Sequence, residues 1–337
     1  MKKCFLFIWM LLLMATFAII GYGIFYFWNR LSQIPELMEQ ISPWGWIAVI
    51  LGALLYFLLD WLRLYTLLML LDVRLSLFTG LRATMAGEFA SMLTPTQELH
   101  IPATVYILTK SNVPVAKATA AVISKTLYML SWVCLFGLGA LYFGRHLFLP
   151  AFIADNQIYY FLPIFGIMLF FLCLMFFGQY LHDLAIIYLN NPNISRFWKK
   201  VISWIDHSTA SLATIGKSTH RMHFLAHACC AGYLLTYCFI GFALCQGVGL
   251  DISWDRALCV FSISLMVAYI IPVPGSIGVT EFATSYLLDQ TFSGSSLTVA
   301  ILLRVCTRYL ALIPGSIFFL NIVWQEGWQF FFNRRER

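Results

Sequence analysis

With 337 residues, 61% of them hydrophobic and only 11% charged, the chain has too little polar sequence to fold a soluble catalytic domain beside its apolar runs. The net charge of +6 sits mostly in the segments between those runs, so it reads as membrane orientation and not as a nucleic-acid footprint. The nine cysteines lie almost entirely inside apolar runs and show no CxxC or Cys/His metal spacing; they are expected as small core residues, with no metal or cofactor.

Lys2 and Lys3 precede an apolar run from Cys4 to about Trp28. It is long for a signal-peptide core and has no small-residue cleavage site, so an uncleaved first span with a cytoplasmic N-terminus is expected. A loop from Arg30 to Ser42, with Glu36 and Glu39, leads into a second span from about Trp44 to Leu71. Its Asp60 and Arg63, spaced i, i+3 in the last third, are expected to pair locally while Arg63 reaches for the interface. Next come two apolar pieces, each too short to span, flanking a polar kink from Thr94 to Pro102. They predict a re-entrant helical hairpin, about 78–110, open to the cytoplasmic side and carrying Glu88, Glu98 and His100. His100 has no second ligand at metal spacing and is read as a hydrogen-bonding histidine.

The third span, about Val113 to Phe143, contains Lys125, which at that depth must point into the protein. An outer loop from Arg145 to Asn156 and a fourth span from about Tyr159 to Phe177 follow. In the segment from Gly178 to Arg221, Arg196, Lys199, Lys200 and Lys217 lie among apolar residues. That pattern fits an amphipathic helix on anionic headgroups, and equally fits charges that only set topology. A fifth span runs from about Phe224 to Leu250; Asp251, Asp255 and Arg256 lie outside, before a second broken segment, Ala257 to Leu288. The last span is about Leu297 to Val323, with a basic tail, FFNRRER.

The stretch AYIIPVPGSIGVTE, Ala268 to Glu281, is the most informative. Prolines and glycines from Pro272 to Gly278, among them Pro274 and Gly275, must break a helix there. Broken backbone at membrane depth is tolerated only where protein buries it or where it lines a wet cavity. Glu281 opens the next apolar run, with Thr280 available as a cap, and its expected partners are Arg304 and Arg308, four apart on one helix face.

The cations test this topology. Of the 21 Lys and Arg residues, fourteen fall on the cytoplasmic side, Arg30, Arg145 and Arg256 outside, and Arg63, Lys125, Arg304 and Arg308 within spans. The fold expected is all-α: a polytopic integral membrane protein with six full spans, both ends inside, plus two re-entrant hairpins. Sliding the chain against itself by 179 residues sets Pro95 on Pro274, Thr119 on Thr298, Ala121 on Ala300 and Lys125 on Arg304. Because an odd number of spans separates the copies, the repeat is inverted, as in alternating-access transporters. The chain then divides into 1–43 (first span and outer loop), 44–143 (repeat 1), 144–222 (fourth span and cytoplasmic segment), 223–323 (repeat 2, hairpin about 257–290) and 324–337 (tail).

Helix ends within the membrane, together with Lys125, Arg304 and Arg308, make a positive site suited to phosphate. Glu281, Pro274, Gly275 and Gly278 shape it from the second hairpin, and Glu88, Pro95, Gln97, Glu98 and His100 from the first; Tyr309 and other aromatics cover a lipid chain. The expected partner is therefore a membrane lipid, an anionic phospholipid or a polyprenyl-phosphate-linked molecule, and not nucleic acid; a homo-oligomer is compatible with the sequence. Glu281 also serves simply to hold the second hairpin against the last span, and its protonation offers a route for coupling to a proton gradient. Two other readings stand beside transport: a membrane-embedded lipid or glycosyl transferase using Glu88, Glu98 or His100, and a non-transporting membrane subunit.

IPVPGSIGVTE followed by ILLRVCTRYLALIPG resembles the second conserved region of the lysylphosphatidylglycerol synthase/flippase transmembrane family. That family includes the membrane part of the multiple peptide resistance factor and short proteins without a synthase domain. GEFASMLTPTQELHIPATVYILTK is similar to the family's first hairpin in Gly87, Glu88, Phe89, Thr94, Pro95, Thr96, Gln97, Pro102, Tyr106 and Leu108. The resemblance covers about residues 45 to 325. It implies a flippase-like protein of the bacterial inner membrane and, with no transferase domain in this sequence, no aminoacyl-lipid synthesis by the chain alone. The chain departs from the family where members commonly carry Gly-Gly-Glu before the matching Pro102. Leu99, His100 and Ile101 stand there, so that carboxylate is absent, with Glu98 as a substitute.

Overall fold

The computed structural model describes residues 34–92, 99–144, 214–215, 220–270, 276–289 and 296–321, and every element among them is helical. The expected first span, the Arg145–Asn156 loop, the fourth span, most of the 178–221 segment, the tail and both hairpin tips (93–98 and 271–275) lie outside these residues.

The chain enters through a short helix, α1 (Ile34–Gln40), in what the sequence reads as a loop. Ile41 then packs into the core, and Ser42 caps α2 (Pro43–Met69) by accepting from the Gly45 N–H at 3.1 Å, with Pro43 in the first turn. The broken segment that follows is a pair of helices, α3 (Leu77–Met92) and α4 (His100–Lys110). A long α5 (Val115–Phe143) comes next, and Lys117 at its start donates to the carbonyl at the C-terminal end of α2, Leu71 O, at 2.7 Å.

The second half opens with α6 (His220–Gly247), continues with the pair α7 (Trp254–Ile270) and α8 (Val279–Asp289), and ends with a last span. That span is α9 (Ser296–Thr307), a 3-10 turn (Tyr309–Ala311) and further helix over 312–321. The paired helices are short: at about 1.5 Å per residue the longer members reach about 25 Å and the shorter ones about 17 Å, less than a hydrocarbon core of about 30 Å.

Among the described residues, four helices are long and apolar enough to cross a membrane: Pro43–Met69, Val115–Phe143, Arg221–Gly247 and Ser296–Asn321. They match the second, third, fifth and last expected spans to within a few residues. Their outer faces carry apolar stripes at helical spacing, Ile47, Leu51, Leu54 and Leu58 on α2 and Leu310, Ile313, Ile317 and Leu320 on the last span, all exposed. Stripes of this kind cover a lipid-facing surface. The protein is thus a multi-pass membrane protein.

Displaced by 179 residues, the first set of helices falls on the second, and α4 (His100–Lys110) lands end to end on α8 (Val279–Asp289). The packing follows the same correspondence. The pairings α2 with α3, α3 with α4, α4 with α5 and α2 with α5 recur as α6 with α7, α7 with α8, α8 with α9 and α6 with α9.

The two halves meet chiefly through α2 and α6. Gly52 faces Ile240, Tyr56 stacks on Tyr233 with centroids 4.1 Å apart, Leu59 lies against Gly232, and Arg63 lies over the Tyr233 ring. Ascending numbers on α2 meet descending numbers on α6, so these corresponding helices run antiparallel.

Two hydrophobic cores fill the bundle. One gathers Val49 and Tyr56 of α2, Met129 and Val133 of α5, and much of α6 and α7. The other gathers Leu64, Leu67 and Leu68 of α2, Ala118, Ala121 and Val122 of α5, parts of α3 and α4, and Ile215 from the largely undescribed 178–221 segment. Six of the seven described cysteines are buried, as expected of small core residues.

Lipid tails are as apolar as leucine, so close approach of helices through small residues does much of the packing in such a bundle. Gly315 of the last span shows how close: a Cβ there would lie 2.4 Å from the Met85 carbonyl oxygen and 2.9 Å from the Phe89 Cβ. Gly315→Val is therefore expected to destabilise the protein by about 1–3 kcal/mol through overpacking. Gly139→Ala, with nothing within 4 Å of the new methyl, is expected to be neutral. Thermal unfolding in detergent compares the two, and equal midpoints would refute the close contact.

Candidate functional site

The buried charges lie between the two cores, halfway through the bundle. Lys125 is ten residues into α5 and Asp60 nine residues from the end of α2, so both lie about 15 Å along their helices, near the middle of a hydrocarbon core of about 30 Å. The Lys125 Nζ is 2.9 Å from the Asp60 carboxylate, which also accepts from Arg63 Nη2. Lys125 points inward, as its depth requires.

Arg63 does not reach for the interface. It is 3% exposed, held between Asp60 and the face of Tyr233, with its guanidinium carbon 3.7 Å from the ring centroid. The expectation of a snorkelling arginine fails because the carboxylate it needs is itself buried, and Lys125 and Tyr233 complete the arrangement from distant parts of the chain.

Glu281 pairs with Arg304 as expected, with Nε 3.3 Å from Oε1, and Tyr309 OH donates to the same oxygen at 2.9 Å. Thr280 is not the cap of α8; its hydroxyl donates to Ser276 O at 3.2 Å. Gly278, at φ +82°, takes the cap position, and Glu281 reaches back to accept from its N–H at 2.9 Å. That φ favours glycine, and an N3 carboxylate satisfies an N–H that the helix itself leaves open.

Arg308, one turn beyond Arg304, does not turn to Glu281. It donates to Glu88 of α3, joining the first half of the chain to the second. The regular α-helix is interrupted here, where Arg308 has φ −126° and ψ −52° between α9 and the 3-10 turn.

Arg63, Lys125, Glu88, Arg308 and His100 line one cavity of about 260 Å³. Tyr233 of α6 and Tyr269 of α7 complete it, so its walls come from both halves. The first turn of α4, where the resemblance leads one to expect Gly-Gly-Glu, instead supplies His100 and Ile101. Gly87 makes room for this histidine: a Cβ there would lie 2.9 Å from His100 Nδ1 and 2.2 Å from Thr104 Oγ1.

Of the residues expected at the site, Lys125, Glu88, His100 and Arg308 are brought together here. Arg304, Glu281, Gly278 and Tyr309 form a second cluster one helical turn along the last span, and Pro95, Gln97, Glu98, Pro274 and Gly275 lie outside the described residues. The structure also gives each expected cation a carboxylate, so Lys125, Arg304 and Arg308 do not form an open positive patch. Buried charge without a counter-charge costs several kcal/mol, which explains the pairing.

Asp60, Arg63, Tyr233 and Tyr269 are site residues that the sequence reading left out. Charge inside an apolar span pointed to the first two. Two tyrosines in a chain that is 17% aromatic carried no signal.

These features define an all-helical, multi-pass membrane protein with an ion-paired cavity at mid-depth, walled by two corresponding sets of helices. The family described as the lysylphosphatidylglycerol synthase TM region matches residues 6–315, and the chain belongs to it. No curated protein matches the chain.

Asp60→Asn leaves two buried cations facing each other and is expected to cost about 3–5 kcal/mol. Adding Lys125→Met should recover much of that loss, because the second change removes one of the stranded charges. A double-mutant cycle in thermal unfolding reads the coupling. Purely additive losses would mean that the two residues do not pair.

Proposed function

We propose that this protein moves an anionic lipid, a phospholipid or a polyprenyl-phosphate-linked molecule, across the bacterial inner membrane by alternating access. The carrying observation is the mid-depth cavity walled by residues of both corresponding halves. On this reading the halves are an inverted repeat, and the antiparallel course of α2 and α6 supports it. The pairs α3–α4 and α7–α8 are re-entrant hairpins, and six spans leave both chain ends in the cytoplasm, as the distribution of Lys and Arg favours.

The chemistry follows from the ion pairs. Glu88 and Arg308 tie α3 to the last span across the cavity-bearing interface. A headgroup that competes for Arg308 weakens this tie and lets the halves rock about α2 and α6. Arg304 stays locked to Glu281 and Tyr309, so the second hairpin moves with the last span. The headgroup travels through the polar layer while its chains remain in lipid.

Reconstitution into vesicles with a trace of fluorescently labelled phosphatidylglycerol tests this. A membrane-impermeant quencher added outside should reach inner-leaflet label at a rate that rises with protein content. Glu88→Gln, which removes the tie while leaving Arg308 available, should change that rate. If neither anionic phospholipids nor polyprenyl phosphates cross faster than in protein-free vesicles, the transport reading is wrong.

A further inference from the structure

Glu281 holds three partners at once. Its Oε2 accepts from the Gly278 N–H at 2.9 Å and so caps α8, while its Oε1 accepts from Tyr309 OH at 2.9 Å and from Arg304 Nε at 3.3 Å. The contact to Arg304 is the longest of the buried ion pairs described; Lys125 approaches Asp60 to 2.9 Å. Arg304 also has a second acceptor at hand. The phenols of Tyr237, Tyr309 and Tyr56 stand around it, and Tyr237 Oη is buried with no hydrogen-bond partner among the described residues. A phenol oxygen accepts as well as donates, and a guanidinium has five N–H groups to offer.

The contacts therefore close in two ways. With Glu281 ionised, Arg304 and Tyr309 both donate to it. With a proton on Oε1, the carboxyl donates to Tyr309 Oη, Oε2 still accepts from Gly278, and Arg304 turns to Tyr237 Oη, so each of these groups keeps a partner. The other neighbours are committed elsewhere. Tyr56 of α2 is bonded to Tyr233, and Glu88 of α3 to Arg308. On α7, packed against α8, Asp255 and Arg256 stand in the first turn, away from the break, and Tyr269 lines the Arg63 cavity.

We propose that Glu281 is a proton-binding site whose occupancy unlocks the last span from α8. The proton comes from water on one side, sits on Glu281 Oε1 while Tyr237 holds Arg304, and leaves to water on the other side as Arg304 returns. Two carboxylates thus restrain the last span through arginines one turn apart, Glu88 through Arg308 and Glu281 through Arg304. On the transport reading, on which the coupling rests, an anionic cargo opens the first tie and a proton opens the second. A singly charged anion and a proton together add no net charge to the buried layer, so each favours the entry of the other, by equal amounts. A proton gradient then drives the cargo.

Difference infrared spectra of the full-length protein in detergent, acid minus neutral, read the protonated carboxyl directly. Its band should lose a component in Glu281→Gln. Tyr237→Phe removes an oxygen that makes no hydrogen bond while Glu281 is ionised, so the melting midpoint should not change. The same variant should need about tenfold more acid to protonate Glu281, as expected for one lost hydrogen bond to a charged group. A band unchanged by Glu281→Gln overturns the proton site, and so does a Tyr237→Phe protein that titrates like the wild type; the second variant decides even if the first folds poorly.

Coupling is read in vesicles that hold a pH-sensitive dye and labelled phosphatidylglycerol. Acidifying the outside should speed translocation of the label several-fold and acidify the interior with it, and Tyr237→Phe should blunt both. Translocation indifferent to the gradient overturns the coupling and keeps the transport reading. Titration of Glu281 without any translocation removes the transport reading and keeps the proton site.

Discussion

A buried charge in hydrocarbon needs a counter-charge, and that need organises the middle of this molecule. Asp60 with Arg63 and Lys125, Glu88 with Arg308, and Glu281 with Arg304 form three ion-paired groups drawn from five helices and both halves of the chain. No group in this layer is satisfied within a single hairpin. Asp60 needs Lys125 from α5, Glu88 needs Arg308 from the last span, and Glu281 needs Arg304 from α9. The helices are thus held together by polar contacts where lipid offers no alternative partner, while the apolar cores on either side fill space.

The break in each helix pair acquires its meaning from this layer. An interrupted helix exposes backbone and so must end inside protein. At the second break, Gly278 and Glu281 resolve the problem locally, the carboxylate serving both as cap to its own helix and as partner to Arg304 and Tyr309. One group therefore ties the position of α8 to that of the last span. At the first break, α4 begins with His100 facing the cavity, so the chain's departure from its family's pattern falls at the site itself and not on a lipid-facing surface. Ile101 stands where members commonly carry the carboxylate and His100 where they carry a glycine, and both residues line the cavity.

Arg63 and Arg308 show the two uses of arginine in such a layer. Arg308 is tied to Glu88 and links the halves. Arg63 is held from one edge by Asp60 and from its face by Tyr233. The planar, permanently charged guanidinium permits both, since it can bind a carboxylate by its edge and an aromatic ring by its face.

Length, hydropathy and the asymmetry of Lys and Arg were enough to read an all-helical membrane protein, its four described spans and the two broken segments, because these depend on local composition and on a bilayer of known thickness. The 179-residue correspondence was legible for the same reason: helix lengths and breaks are local. The inward direction of Lys125 and the Glu281–Arg304 pair could also be anticipated, one from depth and the other from a single neighbouring helix. Only the tertiary structure decided that Lys125 meets Asp60, that Arg308 passes over Glu281 for Glu88, that Arg63 lies under Tyr233, and that His100 borders the same cavity. Those pairings join residues between 65 and 220 positions apart, and nothing in local periodicity selects among the available counter-charges. The choice is made by which helices pack, and the packing is in turn made tolerable by the choice.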